Sequence, residues 1–192
     1  MSWRSGWRPL CEGPKAVGTP DEIVAIVDAR NNVIGAASRR EMRARGLTHR
    51  STYVLVFNAE GEIYVHKRTA TKDVFAGHYD ATAGGVVLAG EDYEQGARRE
   101  LEEELGIRGA ALSRLFDFFY NDGGTRVWGA AFACVCDGNV VPQEDEIESG
   151  AFMKVGDVLR LAETRPFAPD GLCVLRRYLG QVRREGCETR DP

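Results

Sequence analysis

The sequence predicts a single α/β domain in which a mixed β-sheet is covered by helices on both faces. Strand-like and helix-like segments mix along the chain without strict β-α-β alternation, which favours a mixed sheet over a parallel one. A length of 192 residues suits one domain with a sizeable core. Hydrophobic residues make up 43% and charged residues 28% of the chain, as in ordinary globular proteins, so wholesale disorder is excluded.

The first half of the chain is predicted to be rich in strands. Residues 52–57 form an almost wholly apolar run with β-branched and aromatic members, which is typical of a buried central strand. The turn signal Glu60-Gly61 predicts that residues 63–68 pair with this strand as a hairpin. The other elements predicted in this half are strands at 22–27 and 33–35 and one or two helical turns at 39–45.

The second half of the chain carries the longer predicted helices. Residues 81–88 are small, contain glycine and are strand-like, and they precede a helix predicted at 91–105. The turn Asp122-Gly123-Gly124 separates two further strand-like runs. These two strands are predicted at 112–120 and 126–136, and closing helices are predicted at 155–162 and 171–184.

Charge and hydropathy restrict the function classes. Twenty-five Lys and Arg against 29 Asp and Glu give a net charge of −4, so no nucleic-acid groove is predicted. No run approaches the ~20 apolar residues of a membrane span. The N-terminus lacks the apolar core of a signal peptide, so we expect a cytoplasmic protein. We expect residues 1–20 to form a flexible N-terminal arm, residues 21–185 the folded domain and residues 186–192 a C-terminal tail; the oligomeric state stays open, with a homodimer allowed.

The helix predicted at 91–105 gathers acidic side chains on one face. Glu100, Glu103 and Glu104 are spaced i, i+3 and i+4, so their carboxylates lie side by side. At ~6 Å and an effective dielectric constant of ~20, each pair of carboxylates repels by about 3 kcal/mol. Arg99 can pair with Glu103 and can reach back toward Glu91. The remaining negative charge suits a hard cation such as Mg²⁺ or Mn²⁺, which prefers oxygen ligands.

The spacing of residues before this helix distinguishes a metal site from an ordinary acidic surface helix. The helix alone is typical of a solvated acidic surface. The complete pattern is Gly85, five residues, Glu91, seven residues, Arg99-Glu100-Leu101, one residue, Glu103-Glu104, one residue and Gly106-Ile107. At ordinary residue frequencies these fixed positions recur by chance in roughly one such chain in 10⁷. The pattern resembles the motif of the Nudix hydrolase family at every fixed position.

The resemblance implies a Nudix-type α/β/α sandwich at residues 21–185, with a loop–helix–loop that binds Mg²⁺ or Mn²⁺. It implies hydrolysis of a diphosphate in a nucleoside diphosphate linked to another group, or in a similar small molecule. The implied metal ligands are Glu100, Glu103 and Glu104, with Glu103 also implied in catalysis. The implied structural residues are Gly85, the bracing pair Glu91 and Arg99, and Gly106, which stands where a glycine ends a helix.

A basic pair follows the strand predicted at 63–68. Arg68 and Lys72 can bind a phosphate of the substrate, or they can belong to an ordinary basic loop. Their spacing resembles that of type I isopentenyl diphosphate isomerase, a relative with the Nudix fold, over roughly residues 28–161. The residues that carry this resemblance are Thr48-His49-Arg50, Arg68-x-x-x-Lys72, Phe75-x-Gly77 and Asp80-Ala-Thr. The resemblance implies that Arg68 and Lys72 hold a diphosphate.

The remainder of the isomerase site is missing. Its catalytic Cys falls at Gly84 and its catalytic Glu falls near Val127, so a proton shuttle across a double bond is not expected. His49 alone remains of the isomerase histidines, and it is more typical of a hydrogen-bonded residue at the start of a strand than of a metal ligand. We therefore expect hydrolysis. The alternative is a non-catalytic diphosphate-binding sensor. The complete set of glutamates argues against it, because a sensor does not need all of them.

A second acidic cluster follows at residues 143–150. In the Nudix family a Glu just before a hydrophobic strand often faces the metals, and Glu146 is the best placed here, with Glu144 next. Glu146 is thus a second candidate for the catalytic carboxylate beside Glu103, although a solvated acidic loop has the same composition. The sequence does not identify the substrate, the number of metal ions or which Glu is the general base.

Overall fold

A computed structural model describes residues 21–180. The predicted arm at 1–20 and the predicted tail at 186–192 lie outside the described residues. Within residues 21–180 there are eight strands and four helices. They are β1 (Ile23–Val27), β2 (Val33–Ser38), α1 (Arg39–Arg45), β3 (His49–Phe57), β4 (Ile63–Arg68), β5 (Tyr79–Asp80), α2 (Tyr93–Leu105), β6 (Ser113–Asn121), β7 (Arg126–Val135), β8 (Ile147–Met153), α3 (Val155–Ala162) and α4 (Pro169–Tyr178).

The strands form one mixed sheet with β3 near its centre. β3 pairs in parallel with β7 along its whole length, from His49 opposite Val127 to Phe57 opposite Val135. The other extended pairings are antiparallel and join β1 to β2, β4 to β8 and β6 to β7. The predicted mixed sheet is therefore confirmed, with the parallel pair at its middle.

The predicted hairpin of β3 and β4 is correct only at its turn, where Phe57 lies opposite Ile63. Farther along β3, residues 83–87 take the place of β4 as the hydrogen-bonding neighbour. The Val54 N–H donates to the Ala83 carbonyl oxygen at 2.7 Å, for example. β4 pairs instead with β8, so the two strands of the hairpin separate and leave room for this inserted segment.

The inserted segment is not the regular strand that the sequence predicts at 81–88. It is joined to its neighbours by isolated bridges, and the regular strand β5 lies just before it. The physical reason is Gly84, which has a φ of +148° and lies so close to the Thr52 carbonyl oxygen that a Cβ atom would collide with it. A glycine here lets the backbone bend toward α2.

The core lies on both faces of β3 because its side chains alternate between two helical layers. Val54 packs with Leu101 of α2 and with Phe132 of β7 on one face. Leu55 packs in the cluster that contains Val174 of α4 on the opposite face. Burying each such side chain contributes roughly 1.5–3 kcal/mol. The predicted buried central strand and the predicted α/β sandwich are therefore confirmed.

The ends of the helices follow local sequence signals. Asp92 and Gln95 form a capping box at the start of α2, so the helix begins two residues later than predicted. Gly106 ends α2 with a φ of +66°, and its N–H donates to the Glu102 carbonyl oxygen. Pro169 occupies the first turn of α4, so this helix begins two residues earlier than predicted.

The strand β8 is not among the elements predicted above. Its middle residues Glu148, Ser149 and Gly150 are exposed and show no apolar alternation. The pairing partner β4, rather than the local sequence, fixes this strand.

His49 is buried at the first position of β3 and is 3% exposed. Its Nδ1 lies 3.1 Å from the Leu47 carbonyl oxygen, as expected for a hydrogen-bonded residue at the start of a strand. Burial lowers the pKa of His49 to about 4, and the nearby positive charges of Arg43 and Arg39 act in the same direction. The imidazole is therefore neutral in the folded protein at pH 7.

The buried imidazole predicts a pH dependence that a variant can isolate. The pKa of His49 is about 4 in the folded chain and 6.5 in the unfolded chain. The stability contributed by the neutral imidazole is therefore fully present above pH 6.5 and is lost as the pH falls toward 4. Between pH 7 and pH 5, wild type should lose about 2 kcal/mol more unfolding free energy than His49→Gln. Urea unfolding at the two pH values measures this difference. Equal losses in the two proteins would contradict a buried, neutral His49.

Candidate active site

A cavity opens where α2, the segment after β5, the loop after β4 and the helix α1 meet. Its lining is charged on two sides, with carboxylates contributed by α2 and cations contributed by α1 and the loop. The principal lining residues are Arg43, Arg68, Lys72, Glu100, Glu104 and Glu146. The structure thus brings together five predicted site residues that the sequence separates by up to 78 positions, since Arg68, Lys72 and Glu146 meet the two helix carboxylates here.

Glu100 and Glu104 of α2 face the cavity and are only 5% and 3% exposed. The Gly84 N–H donates to Glu104 Oε2 at 3.0 Å. Gly85 lies so close to Glu100 that a Cβ atom there would be 2.7 Å from Oε1. The two glycines therefore let the backbone approach both carboxylates, and a side chain at Gly85 would displace the Glu100 carboxylate.

Burial makes these two carboxylates hard to ionise. It raises the pKa of Glu100 to about 7, against the opposing effect of the Arg99 charge. Burial and the neighbouring Glu100 also raise the pKa of Glu104 well above its usual value. Two buried carboxylates that repel each other are stabilised by a cation in the same cavity.

Arg99 connects α2 to the preceding loop through its guanidinium. Its Nε donates to Glu91 Oε1 at 2.9 Å, and its Nη2 donates to the Val86 carbonyl oxygen at 3.0 Å. Its Nη1 lies 2.8 Å from both Glu100 Oε1 and Glu103 Oε2. Burial disfavours the charge, but these carboxylates more than compensate and raise the pKa of Arg99 above its usual value.

Glu103 differs from the other two helix carboxylates because it is partly exposed, with 31% of its side chain accessible. Partial burial raises its pKa, although Arg99 acts in the opposite direction. Within residues 21–180, no three His, Cys, Asp or Glu side chains converge on one point. Glu100, Glu103 and Glu104 share the predicted helix face, and Arg99 Nη1 lies between the first two.

Lys72 and Glu146 form a buried ion pair on the opposite side of the cavity. Lys72 Nζ lies 2.5 Å from Glu146 Oε2, and both side chains are almost completely enclosed. Glu144, the second candidate of the acidic loop, is exposed. The loop before β8 therefore presents one carboxylate to the cavity.

Arg68 is held in place by protein groups at the base of the same cavity. Its Nη2 donates to the Val74 carbonyl oxygen at 3.0 Å, and its Nη1 lies 3.8 Å from Asp80 Oδ2. Burial raises the pKa of Asp80, although Arg68 and the hydrogen bonds from Thr82 oppose that shift. The guanidinium is therefore oriented before any ligand binds.

Several cavity residues are missed by the sequence interpretation. Tyr53 donates its hydroxyl to Asp170 Oδ2 at 3.0 Å, and burial raises the pKa of Asp170 to about 6. These two residues are 117 positions apart, so no local pattern connects them. Arg39 and Arg43 of α1 also line the cavity, and their i, i+4 spacing is the one signal in the sequence that places them on a common helix face.

The chain matches known proteins over most of its length. Residues 47–174 match the family model of the NUDIX domain. The protein named uncharacterized Nudix hydrolase PA4841, from Pseudomonas aeruginosa, is 44% identical over 158 residues, which cover 82% of this chain and 94% of that protein. YfcD of Escherichia coli K12 is 43% identical over 169 residues, which cover 88% and 93% of the two chains.

Solved structures show the same fold. DR0079 from Deinococcus radiodurans superposes with a TM-score of 0.70 at 24% identity, covering 81% of this chain and 98% of the other. The NUDIX domain of Shewanella oneidensis NrtR superposes with a TM-score of 0.56 at 16% identity, covering 70% and 88%. No helix within residues 21–180 is long and apolar enough to cross a membrane. The domain match and the close relatives show that the chain belongs to the Nudix hydrolase family.

Proposed function

We propose that the protein hydrolyses a diphosphate linkage in a nucleoside diphosphate derivative, with Mg²⁺ or Mn²⁺ as cofactor. The observation that carries this proposal is the meeting of buried carboxylates and enclosed cations in one cavity, with Glu100 and Glu104 on one side and Arg68 and Lys72 on the other. The Shewanella NrtR domain, which shares the fold, is complexed with ADP ribose. A compound of that class carries a diphosphate between two larger groups.

The helix carboxylates fit a hard divalent cation. Glu100 and Glu104 are buried and repel each other, and Glu103 lies at the edge of the same face. We assign these three side chains as the metal ligands, because carboxylate oxygens are preferred by Mg²⁺ and Mn²⁺. When bound, the metal neutralises phosphate charge and lowers the pKa of a bound water.

Proton transfer is assigned to Glu103 before Glu146. The Glu146 carboxylate is already occupied by Lys72 Nζ, which lies 2.5 Å from its Oε2. Burial raises the pKa of Glu103, and the side chain remains partly accessible. A carboxylate with a raised pKa that water can reach is the better acceptor for the proton of the attacking water.

Arg68 at the end of β4 and Lys72 in the loop after it are assigned to the phosphate that does not react. Arg68 is already oriented by the Val74 carbonyl group, and Lys72 can exchange its contact with Glu146 for a phosphate oxygen. Of the roles implied by the isomerase resemblance, only the binding of a diphosphate by Arg68 and Lys72 is kept here. Alkene isomerisation is not proposed, because Gly84 lies against the Thr52 carbonyl oxygen and leaves no space for the catalytic thiol.

The bracing role is assigned to Arg99 and Glu91. Glu91 accepts hydrogen bonds from Arg99 and from the Leu88 N–H, so it ties the loop to the helix. Gly85 and Gly106 complete this assignment, since one permits the close approach to Glu100 and the other ends α2.

A screen of nucleoside diphosphate derivatives with Mg²⁺ and Mn²⁺, read out as released phosphate or monophosphate, tests the proposed reaction.

On the best substrate, Glu103→Gln should lower kcat at least ~100-fold, because it removes a metal ligand and the base. The matched control is Glu102→Gln, which changes an exposed neighbour on α2 that pairs with Arg108 and should stay within ~2-fold of wild type. Equal activity of Glu103→Gln and wild type would refute the mechanism. Hydrolysis of no compound would favour a diphosphate-binding sensor.

The bracing role predicts a difference between adjacent arginines. Arg99→Ala should lower the free energy of unfolding by about 3 kcal/mol, because it leaves Glu91 and its neighbours without their enclosed partner. Arg98→Ala removes an exposed pair with Glu94 and should cost less than ~1 kcal/mol. Urea unfolding in the absence of metal measures both. Similar losses for the two variants would show that Arg99 has no bracing role.

A further inference from the structure

The helix α1 contributes two arginines to the cavity that the proposed reaction does not use. Arg39 and Arg43 are spaced i, i+4 and line the cavity from the same face of α1. Their side chains are 13% and 30% exposed. They lie on the side of the loop after β4, where Asp73, Val74 and Phe75 complete the wall.

The two arginines share the Asp73 carboxylate, and Arg39 Nη1 also donates to Glu22 Oε2 at 3.2 Å. Arg39 Nε and Arg43 Nε lie 3.6 Å and 3.5 Å from the same oxygen, Asp73 Oδ2. Both Nε atoms are buried and have no hydrogen-bond partner. A buried N–H group without an acceptor is destabilising, so two donors remain available to an anion in this part of the cavity.

The neighbouring cations Arg68 and Lys72 have hydrogen-bond partners of their own. Arg68 donates to the Val74 carbonyl oxygen, and Lys72 pairs with Glu146. The positive charges of Arg39, Arg43 and these two residues all act on Asp73 and lower its pKa against the effect of burial. Asp73 is half exposed, so an entering anion can displace it or accept from the Nε–H groups beside it.

We propose that Arg39 and Arg43 bind a further phosphate group of the substrate, beyond the two phosphates joined by the bond that is cleaved. The planar guanidinium fork matches a tetrahedral phosphate and can hold it through two hydrogen bonds. This inference rests on the proposed function, which places the diphosphate between the α2 carboxylates and the loop cations. The substrate class is then a diphosphate that carries an additional phosphate, such as a triphosphate.

Direct binding of inorganic phosphates tests this site without hydrolysis or metal. Isothermal titration calorimetry compares tripolyphosphate with pyrophosphate for wild type, R39Q/R43Q and R40Q/R45Q. The last variant is the matched control, because it removes the same charge from α1 at Arg40 and Arg45, which are 70% and 64% exposed and lie outside the cavity. Circular dichroism checks that each variant is folded.

Wild type should bind tripolyphosphate at least ~10-fold more tightly than pyrophosphate, the effect expected for charge-assisted hydrogen bonds to one more phosphate. This preference should fall below ~2-fold in R39Q/R43Q and persist in R40Q/R45Q. No preference in wild type, or a full preference in R39Q/R43Q, would overturn the inference. If R39Q/R43Q does not fold, R43Q alone should reduce the preference at least ~3-fold, and an unchanged preference would overturn the inference equally.

The outcome is distinguishable from that of the hydrolysis experiment. Glu103→Gln should lose hydrolysis and keep the preference for tripolyphosphate, because Glu103 does not line the cavity into which Arg39 and Arg43 point. A preference that depends on Arg39 and Arg43 in a protein that hydrolyses no diphosphate would contradict the proposed function and support the anion site.

Discussion

The cavity depends on one guanidinium, that of Arg99, which holds carboxylates that would otherwise repel one another. Its Nη1 donates to Glu100 and Glu103, and its Nε and Nη2 donate to Glu91. The attraction between Arg99 and each carboxylate offsets the repulsion among the carboxylates. Both effects are strong here because the side chains are partly shielded from water. The positions of Glu91, Glu100 and Glu103 are thus set by a cation of the protein before any cation from solution binds.

Arg99 can hold these carboxylates because α2 and the segment before it are fixed in position by packing, by helix capping and by close glycine contacts. Leu101 pins α2 to the sheet, and the capping box at Asp92 and the glycine at Gly106 set where the helix begins and ends. Gly84 and Gly85 allow the inserted segment to approach the helix, so that its peptide groups reach the buried carboxylates. The charged cavity is therefore a consequence of how the core packs on either side of β3.

The parts of the fold that local signals specify are predicted well from the sequence, and the parts that depend on distant pairing are not. The acidic helix is predicted because the i, i+3, i+4 spacing of its glutamates and its terminal glycine agree. β8 is missed because its exposed residues show no alternation and only β4 fixes it. The approach of Arg43 to Asp73 depends on the packing of α1 against the loop after β4, which no motif encodes.

The measurement that tests this view of the cavity most directly is Mn²⁺ binding, followed by titration and by the thermal midpoint of unfolding. Wild type should bind Mn²⁺ and melt at a higher temperature in millimolar Mn²⁺, because the metal relieves the repulsion between buried carboxylates. Glu104→Gln should bind Mn²⁺ at least ~10-fold more weakly, since it removes one of the two enclosed carboxylates. An unchanged midpoint and no detectable Mn²⁺ binding by wild type would contradict the assignment of these glutamates to a metal.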